Sequence, residues 1–547
     1  MNRKDILLEF AKKGFLLKPD AFELLENLKE EDIKKVLEKL IKKYSNLNLK
    51  IIGKKELEEV IGFSKKIIVE RSSEKKKDIR KKITKDKNIS LLQFVKKEES
   101  HKETVEEKEQ KEELKKEEVE IIDKKERRIS EEYDLSIEVL KTYDVNKEKP
   151  NIKTWTSYYL ARLKHLTKLL KKHNEVSEVI SINLALGKEE ASIIGLVYEK
   201  KIRSNGNIRI ILEDRTGKIP LIIRKDDELY QIAKDIPEDV VIYVSGRIKN
   251  GIMYPEKIIF PDIPYKQQKN FENEIYVAFT GDMQVGSRFF LKKEWELFIK
   301  WIKGEYGDRK MRELAKKIGF LIIPGDLVDG IGIYPEQEKE LEILDIYKQY
   351  EYVEKTLLEI PESIQVVIIP GNHDAVRLAE PQPPIPKEFL PELYKMDNFH
   401  LLSNPSYFYI KNGNDKKLVL AYHGYSFDWF IANIESIRKK EGYEKISATM
   451  KFLLMLRHLS PVHGSSIYVP YSKEDPLVID PVPDIFVSGH IHGTEVKNYK
   501  GVDLINSSCW QTLTPFQMEM GHIPDPAKVV LKNLKTGNLR IIKFVGK

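Results

Sequence analysis

Along the first 65 residues apolar positions recur at threes and fours; in AFELLENLKEEDIKKVLEKLIKK, Phe22, Leu24, Leu25 and Leu28 share one stripe. That period is helical, so residues 1–65 are expected to form a small helical domain. From 66 to 150 the pattern dissolves into stretches such as HKETVEEKEQKEELKKEEVE, dense in both charges and nearly free of aromatics. Such a chain buries too little apolar surface to offset its ordering entropy, so a charged, disordered linker is expected there. One apolar islet at 91–95 is a docking candidate. Helical spacing returns at 151–174, where Leu160, Leu163, Leu166 and Leu170 line one face of a connecting helix.

Beyond 175 the period shortens. ASIIGLVYEKK, NIRIILEDRTG, KIPLIIRK, DVVIYVSGRIK and GIMYPEKIIF are rich in β-branched residues and separated by Gly, Asn or Asp turns. Five such strands within 175–268 predict an all-β, OB-like barrel, serving either nucleic-acid contact or packing on a neighbour. From 269 to 547 apolar strands that end in polar clusters alternate with helical stretches such as KEWELFIKWIK, which predicts an α/β domain.

At 547 residues the chain exceeds what one hydrophobic core sustains, in line with this multidomain reading. Its net charge of +7 stands on 94 basic against 87 acidic residues; it agrees with a polyanionic partner but decides little. The single cysteine, Cys509, excludes a disulfide framework and a cysteine-rich zinc site. That fits a reducing cytoplasm and leaves His, Asp and Asn to hold any metal. The start, MNRKDILLEFAKKGF, interleaves charges among its apolar residues, so neither a signal peptide nor a membrane span is expected.

The chemistry concentrates where strands end. IYVAFT runs into GDMQVGS with Asp282 and Gln284; GFLIIP into GDLVDG with Asp326 and Asp329; IQVVIIP into GNHDAV with Asn372, His373 and Asp374. KLVLAYHG delivers His423, and DIFVSGHIHG delivers His490 and His492. Strand ends of this kind can converge at one edge of a sheet. His490 and His492 stand two apart in a segment that reads as extended, which sets both rings on one side. Imidazole, carboxylate and amide donors without thiolate suit two divalent ions, Mn²⁺ foremost, with Mg²⁺, Fe²⁺, Zn²⁺ or Ni²⁺ as alternatives. A carboxylate such as Asp326 can bridge ions roughly 3.5–4 Å apart. A lone GD or GH is common in loops, but four of the eleven histidines fall in these motifs in sequence order.

This order, D-x-Q, GDLVD, GNHD, HG and GHIH, resembles the calcineurin-like metallophosphoesterase family over residues 269–547. The resemblance implies a metallophosphoesterase β-sandwich flanked by helices. Position by position, it implies that Asp282, Gln284, Asp326 and His492 hold a first metal, and Asp326, Asn372, His423 and His490 a second. His373 would be catalytic, beside the scissile phosphate. Position 284 departs from the family's nucleases, which carry histidine there; a glutamine carbonyl is a weaker donor and favours a harder ion. Near the motifs, Arg288 and Arg377 are candidates for gripping substrate. Tyr425, Phe427, Trp429 and Trp510 either stack on bases or fill the core. His400, His458, His463 and His522 lie outside the motifs and receive no role.

Helical start, charged linker, barrel and phosphoesterase, in that order, look like the small subunits of archaeal DNA polymerase D and are similar to the B subunits of eukaryotic replicative polymerases. The partners this implies are a large catalytic subunit that polymerises, DNA at a single-stranded or mismatched primer 3′ end, and a sliding clamp or other replisome protein reached through the linker. The implied reaction is proofreading, a 3′-to-5′ exonuclease that hydrolyses the terminal phosphodiester with two metals. Gln284 favours the competing reading, an inactive or weakly active scaffold that braces the large subunit. A free-standing phosphatase leaves the barrel and linker without purpose.

Overall fold

The computed structural model describes residues 128–145, 149–440, 443 and 445–545, together with 15–17, 33, 40 and 50–52. The chain divides into two units, Met1–Ile121 and Ile122–Lys547. In the first, strands β1 (Phe15–Leu17) and β2 (Lys50–Ile52) pair in parallel. Most of the expected helical domain, and the linker with its apolar islet up to 127, lie outside the described residues.

The second unit contains β3 (Leu135–Lys141) and then helix α1 (Ile152–Leu170), capped where the Asn151 side chain accepts from the Thr154 N–H. The buried face of α1 carries Tyr158, Arg162, Leu166, Leu169 and Leu170, whereas Leu160 is 38% exposed. The leucine stripe expected from spacing is therefore only half right. The face is set instead by Arg162, whose fully buried guanidinium meets Asp475 Oδ2 at 2.6 Å and the carbonyls of Asp239 and Pro461 at 3.0 and 2.6 Å. Asp475 also accepts from Tyr158 Oη at 2.8 Å and from His458 Nε2 at 2.8 Å.

His458 is locked neutral in this network: its Nε2–H donates to Asp475 while Nδ1 accepts from the Ser460 N–H at 3.0 Å. Burial, reinforced by Arg162, pushes its pKa down to about 4. As pH falls from roughly 6.5 towards that value, the unfolded histidine takes a proton that the folded one refuses, so stability drops by up to about 3 kcal/mol. Thermal melts across this window should show a shallower acid slope in His458→Gln, which keeps a donor to Asp475 but does not titrate.

Strands β4 (Glu190–Ile202), β5 (Ile208–Glu213), β6 (Lys218–Ile223), β7 (Val241–Lys249) and β8 (Ile252–Ile259) close a barrel in the order β4-β5-β6-β8-β7. All five are the expected strands. Ile208, Ile210 and Leu212 alternate into its interior against Ile219, Leu221 and Ile223, every one of them fully buried. The barrel interior is continuous with apolar side chains of the following domain, among them Phe430, Ile434 and Leu453.

That domain is built mainly from β9 (Tyr276–Phe279), helix α2 (Lys292–Ile302), β10 (Ile318–Pro324), helix α3 (Ile346–Leu357), β11 (Gln365–Ile369), β12 (Phe399–Leu401), β13 (Ser406–Asn412), β14 (Asp415–Ala421), helices α4 (Phe427–Asn433) and α5 (Ile446–Leu456), β15 (Ile485–Ser488), β16 (Glu495–Tyr499), β17 (Val502–Asn506), helix α6 (Pro515–Met520), β18 (Lys528–Asn533) and β19 (Leu539–Lys543). The strands form two six-stranded sheets, β12-β11-β10-β9-β18-β19 and β16-β17-β15-β14-β13-β3. Alternation divides each strand between two layers. Val277, Phe279, Phe320, Ile322, Val367 and Ile369 meet Val419, Ala421, Ile485 and Val487 in the core between the sheets. The intervening residues, such as Ala278, Leu321 and Val366, face α2 and α3, while Leu418, Leu420 and Phe486 pack with α4 and α5. Covered on both sides, β10 reads as an unbroken apolar run, IGFLIIP, as parallel strands with two buried faces do.

β3 corrects the expected linker of 66–150. LSIEVLK pairs antiparallel with β13 as the edge strand of the second sheet, and Leu135 and Ile137 reach the core between the sheets. Two inward apolar residues were enough to anchor a strand in sequence otherwise dominated by charge. Among the described residues no helix is long and apolar enough to cross a membrane.

Candidate metal centre

Strands β9, β10 and β11 run parallel in the first sheet, and β14 and β15 run parallel in the second. The loops that leave their C-terminal ends bring Asp282, Gln284, Asp326, Asn372, His423, His490 and His492 into one cluster. The backbone there is unusual: Asp282, Gln284, Asp326, His490 and His492 have φ of 49°, 54°, 53°, 70° and 56°, all left-handed. Non-glycine residues held this way cost about 1–3 kcal/mol each and persist only where the surroundings enforce them. The GHIH histidines are thus not in an extended segment; β15 stops at Ser488, and turn geometry aims both rings. Two glycines permit the crowding. A Cβ on Gly371 would lie 2.0 Å from Asp326 Oδ1, and one on Gly489 would lie 2.3 Å from Asp282 Oδ2.

Asp326 sits at the middle. Its Oδ1 accepts the His373 backbone N–H at 2.9 Å and its Oδ2 accepts from Gln284 Nε2 at 3.0 Å, with His423 Nε2 at 3.4 Å. His423 Nδ1 donates to the Pro324 carbonyl at 2.8 Å, turning Nε2 to Asn372 Oδ1 at 3.0 Å. His492 Nε2 lies 3.6 Å from Asp282 Oδ1. One ligand atom from each of Asp282, Asp326 and His423 falls within 4.8 Å of the others.

The charges are short of cations. Burial opposes a charged His423, yet Asp326 and Asp282 push it up to about 10. Asp326, although buried, is held well below the carboxylate range by His423 and His373, whereas burial and the neighbouring Asp326 charge drive Asp282 well above it. Asp282 Oδ2 and Gln284 Oε1 are buried without a hydrogen-bond partner. Unpartnered buried oxygens among carboxylates and correctly oriented imidazoles are a donor set that fits divalent cations.

Supporting residues fix these groups. His490 Nε2 donates to Asp428 Oδ2 at 2.8 Å, which leaves Nδ1 as its ligand atom. Such carboxylate partners orient ligating histidines. If the cluster takes up Mn²⁺, as its donor set allows, Asp428→Asn should weaken that uptake ~10–100-fold in titration calorimetry, with the fold unchanged by circular dichroism. Gln517 Nε2 meets His492 Nδ1 at 2.8 Å while its Oε1 accepts from the Thr514 N–H, closing the capping box of α6. Asp374 is no ligand: buried, it accepts from the N–H groups of Gly371 and Leu327 and from Tyr350 Oη, stitching two loops together. Asp329 receives Gln337 and Gln511, and burial pushes it up to about 6. The Asp329 carbonyl accepts from His373 Nδ1 at 2.8 Å, so Nε2 is the nitrogen His373 offers.

A cleft of about 420 Å³ opens on the cluster, lined by Gln284, Asp326, Asn372, His373, His490 and His492. Arg288 and Arg377 do not line it. Arg288 Nε donates to the Leu341 carbonyl in the loop after β10, and Arg377 to the carbonyls of Ala379 and Pro381 in its own loop. Of the four aromatics singled out in the sequence, Tyr425 lines the cleft, Phe427 and Trp510 are fully buried core, and Trp429 packs on Phe430 with ring centroids 5.1 Å apart. Asp428, Gln517, His522, Tyr334 and Phe516 also line the cleft and escaped the sequence reading; none lies in a ligand-spaced motif.

Residues 286–496 match the family model for the B subunit of DNA polymerases alpha and epsilon, and 191–258 that of an OB-fold nucleic acid binding domain. The DNA polymerase II small subunit of Archaeoglobus fulgidus is 38% identical over 381 residues, 70% of this chain and 75% of that one. That of Methanothermobacter thermautotrophicus is 37% identical over 419 residues, 76% and 84% of the two chains. That of Methanocaldococcus jannaschii is 33% identical over 585 residues, 97% and 96%.

Proposed function

The chain belongs to the archaeal DNA polymerase II small subunits, a family whose members accompany a large catalytic subunit, and from that premise we propose that it is the proofreading 3′-to-5′ exonuclease of its polymerase. The observation that carries this reading is the convergence of five strand ends on one acid, amide and imidazole cluster beside a histidine of fixed tautomer. Here the sandwich is read as a metallophosphoesterase. Asp282, Gln284, Asp326 and His492 would hold one divalent ion and Asp326, Asn372, His423 and His490 the other. Bound there, two such ions lower the pKa of water and neutralise phosphoryl oxygens.

The chain's own residues do the rest. Asp428 and the Pro324 carbonyl keep His490 and His423 in the tautomers that leave a nitrogen for the ions. His373, its Nδ1–H held by the Asp329 carbonyl, would act in its imidazolium form, with Nε2–H facing the departing 3′-oxygen. Water would add to phosphorus and lose a proton to solvent, the P–O3′ bond would break, and that oxygen would leave with the Nε2 proton of His373. The products are a nucleoside 5′-monophosphate and a strand one nucleotide shorter. The barrel adds contact with DNA phosphates, a binding that weakens steeply as salt rises.

A 5′-labelled primer with a mismatched 3′ end, incubated with Mn²⁺ and the purified chain, tests the reading. Stepwise shortening that Asn372→Ala and His373→Ala both remove is the expected result. No shortening, even with the large subunit added, overturns it and leaves the second reading, a brace for the large subunit. Gln284 in place of an imidazole favours that alternative.

A further inference from the structure

The cleft has a second character at its mouth. Tyr334 and Phe516 stack there with ring centroids 4.7 Å apart and planes 15° from parallel, and Tyr334 stands edge-on to His373 at 6.5 Å. Phe516 is 42% exposed, and Ile333 and Leu378, also on the cleft lining, are each 37% exposed. No Lys or Arg is among the lining residues. An exposed aromatic face beside a cluster of acids and imidazoles, without side-chain cations, is a site for a flat apolar group whose charge is handled elsewhere.

Both rings are held in place. Tyr334 Oη donates to Glu340 at 3.0 Å. Phe516 lies one residue into α6, whose Pro515 start and Thr514–Gln517 capping box fix the turn, and the same Gln517 touches the His492 ring. Position at the ligand cluster and position at the mouth are therefore set by one short element. A preformed ring needs little further ordering when something stacks on it.

We propose that the Tyr334–Phe516 stack is a platform for one unpaired nucleobase at a DNA 3′ end, the element that would read a frayed terminus at this centre. The inference rests on the exonuclease reading for its substrate. In a duplex the terminal base is held at its edge by the partner strand and on its inner face by its neighbour, so carrying it to Phe516 at the cleft mouth costs that pairing, and the cost is least for a mismatch. Mismatched ends fray most readily, and selection for them follows from the platform alone.

The test deletes the ring and the base in turn, with the chain in complex with its large subunit. Wild type should degrade a single strand whose last two nucleotides are abasic roughly tenfold more slowly than the same strand with bases, as loss of base–aromatic stacking implies. Phe516→Ala should slow the normal strand by a similar factor and erase the difference, while Phe516→Trp restores it. A difference that persists undiminished in Phe516→Ala overturns the platform. So does loss of the large subunit from the Phe516→Ala complex in gel filtration, since the patch is then a protein contact.

A binding measurement separates this inference from the parent reading. With Ca²⁺ replacing Mn²⁺, fluorescence of a 3′-terminal 2-aminopurine should be quenched by wild type and by Phe516→Trp but not by Phe516→Ala. If quenching follows this pattern and no strand is ever shortened, the exonuclease reading fails and the platform stands. If strands are shortened but quenching is indifferent to Phe516, the platform alone fails.

Discussion

On the exonuclease reading, alanine at His373 is expected to slow removal of 3′ nucleotides by ~10²–10⁴-fold, the usual contribution of a positioned general acid, while the affinity for added Mn²⁺ stays within error of wild type. The ring lies outside the ligand set, and its backbone N–H to Asp326 survives the substitution. Single-turnover rates and titration calorimetry on the same preparations check both halves. A leaving group that needs no proton supplies the control: thymidine 5′-p-nitrophenyl phosphate should be hydrolysed by His373→Ala at close to the wild-type rate. An equal loss on both substrates would mean that the ring shapes the ion site and donates no proton.

The second large effect concerns stability. Arg162→Met leaves Asp475 buried without its guanidinium and should destabilise the fold by ~3–5 kcal/mol in urea unfolding. Arg162 joins α1 to carbonyls before β7 and in the loop after α5, so it ties barrel to sandwich. The shared apolar core beneath that tie stays in place, so the single variant should still unfold in one transition, at lower urea. The double variant Arg162→Met with Asp475→Leu removes both charges and is expected to recover most of the loss, because the desolvation of an unpaired carboxylate disappears with it.

Much of this architecture was legible because period and punctuation agree with it. The five barrel strands announce themselves by β-branched runs between turn residues, and the residues that cluster at the strand ends by Gly-Asp, Gly-Asn-His and Gly-His steps after apolar strands. What stayed hidden depends on contacts across long stretches of chain. Asp428 acquires a role only when α4 meets the loop after β15, and Arg162 looks like a solvated helix charge until Asp475 arrives 313 residues later. Charge density hid β3, whose two inward side chains outweigh its surroundings. Position in a motif misled for Arg288 and Arg377, since a guanidinium near a ligand in sequence still chooses the nearest free carbonyls. Phe516 carries no signal at all outside its capping box.

The left-handed backbone at Asp282, Gln284, Asp326, His490 and His492 sets a direction for evolutionary drift. Glycine at any of these positions relaxes the turn, so a lineage released from hydrolysis would gain heat resistance with each ligand it discarded. Decay of the centre runs downhill in backbone energy wherever the lost side chain leaves no N–H unpaired, as the loss of Asp282 or Asp326 would for His490 and His373. On the exonuclease reading, a chain that still carries acid and imidazole at such turns is one in which replication fidelity outweighs that gradient, and accessory subunits that have lost their chemistry should be recognisable by glycines standing where the ligands were.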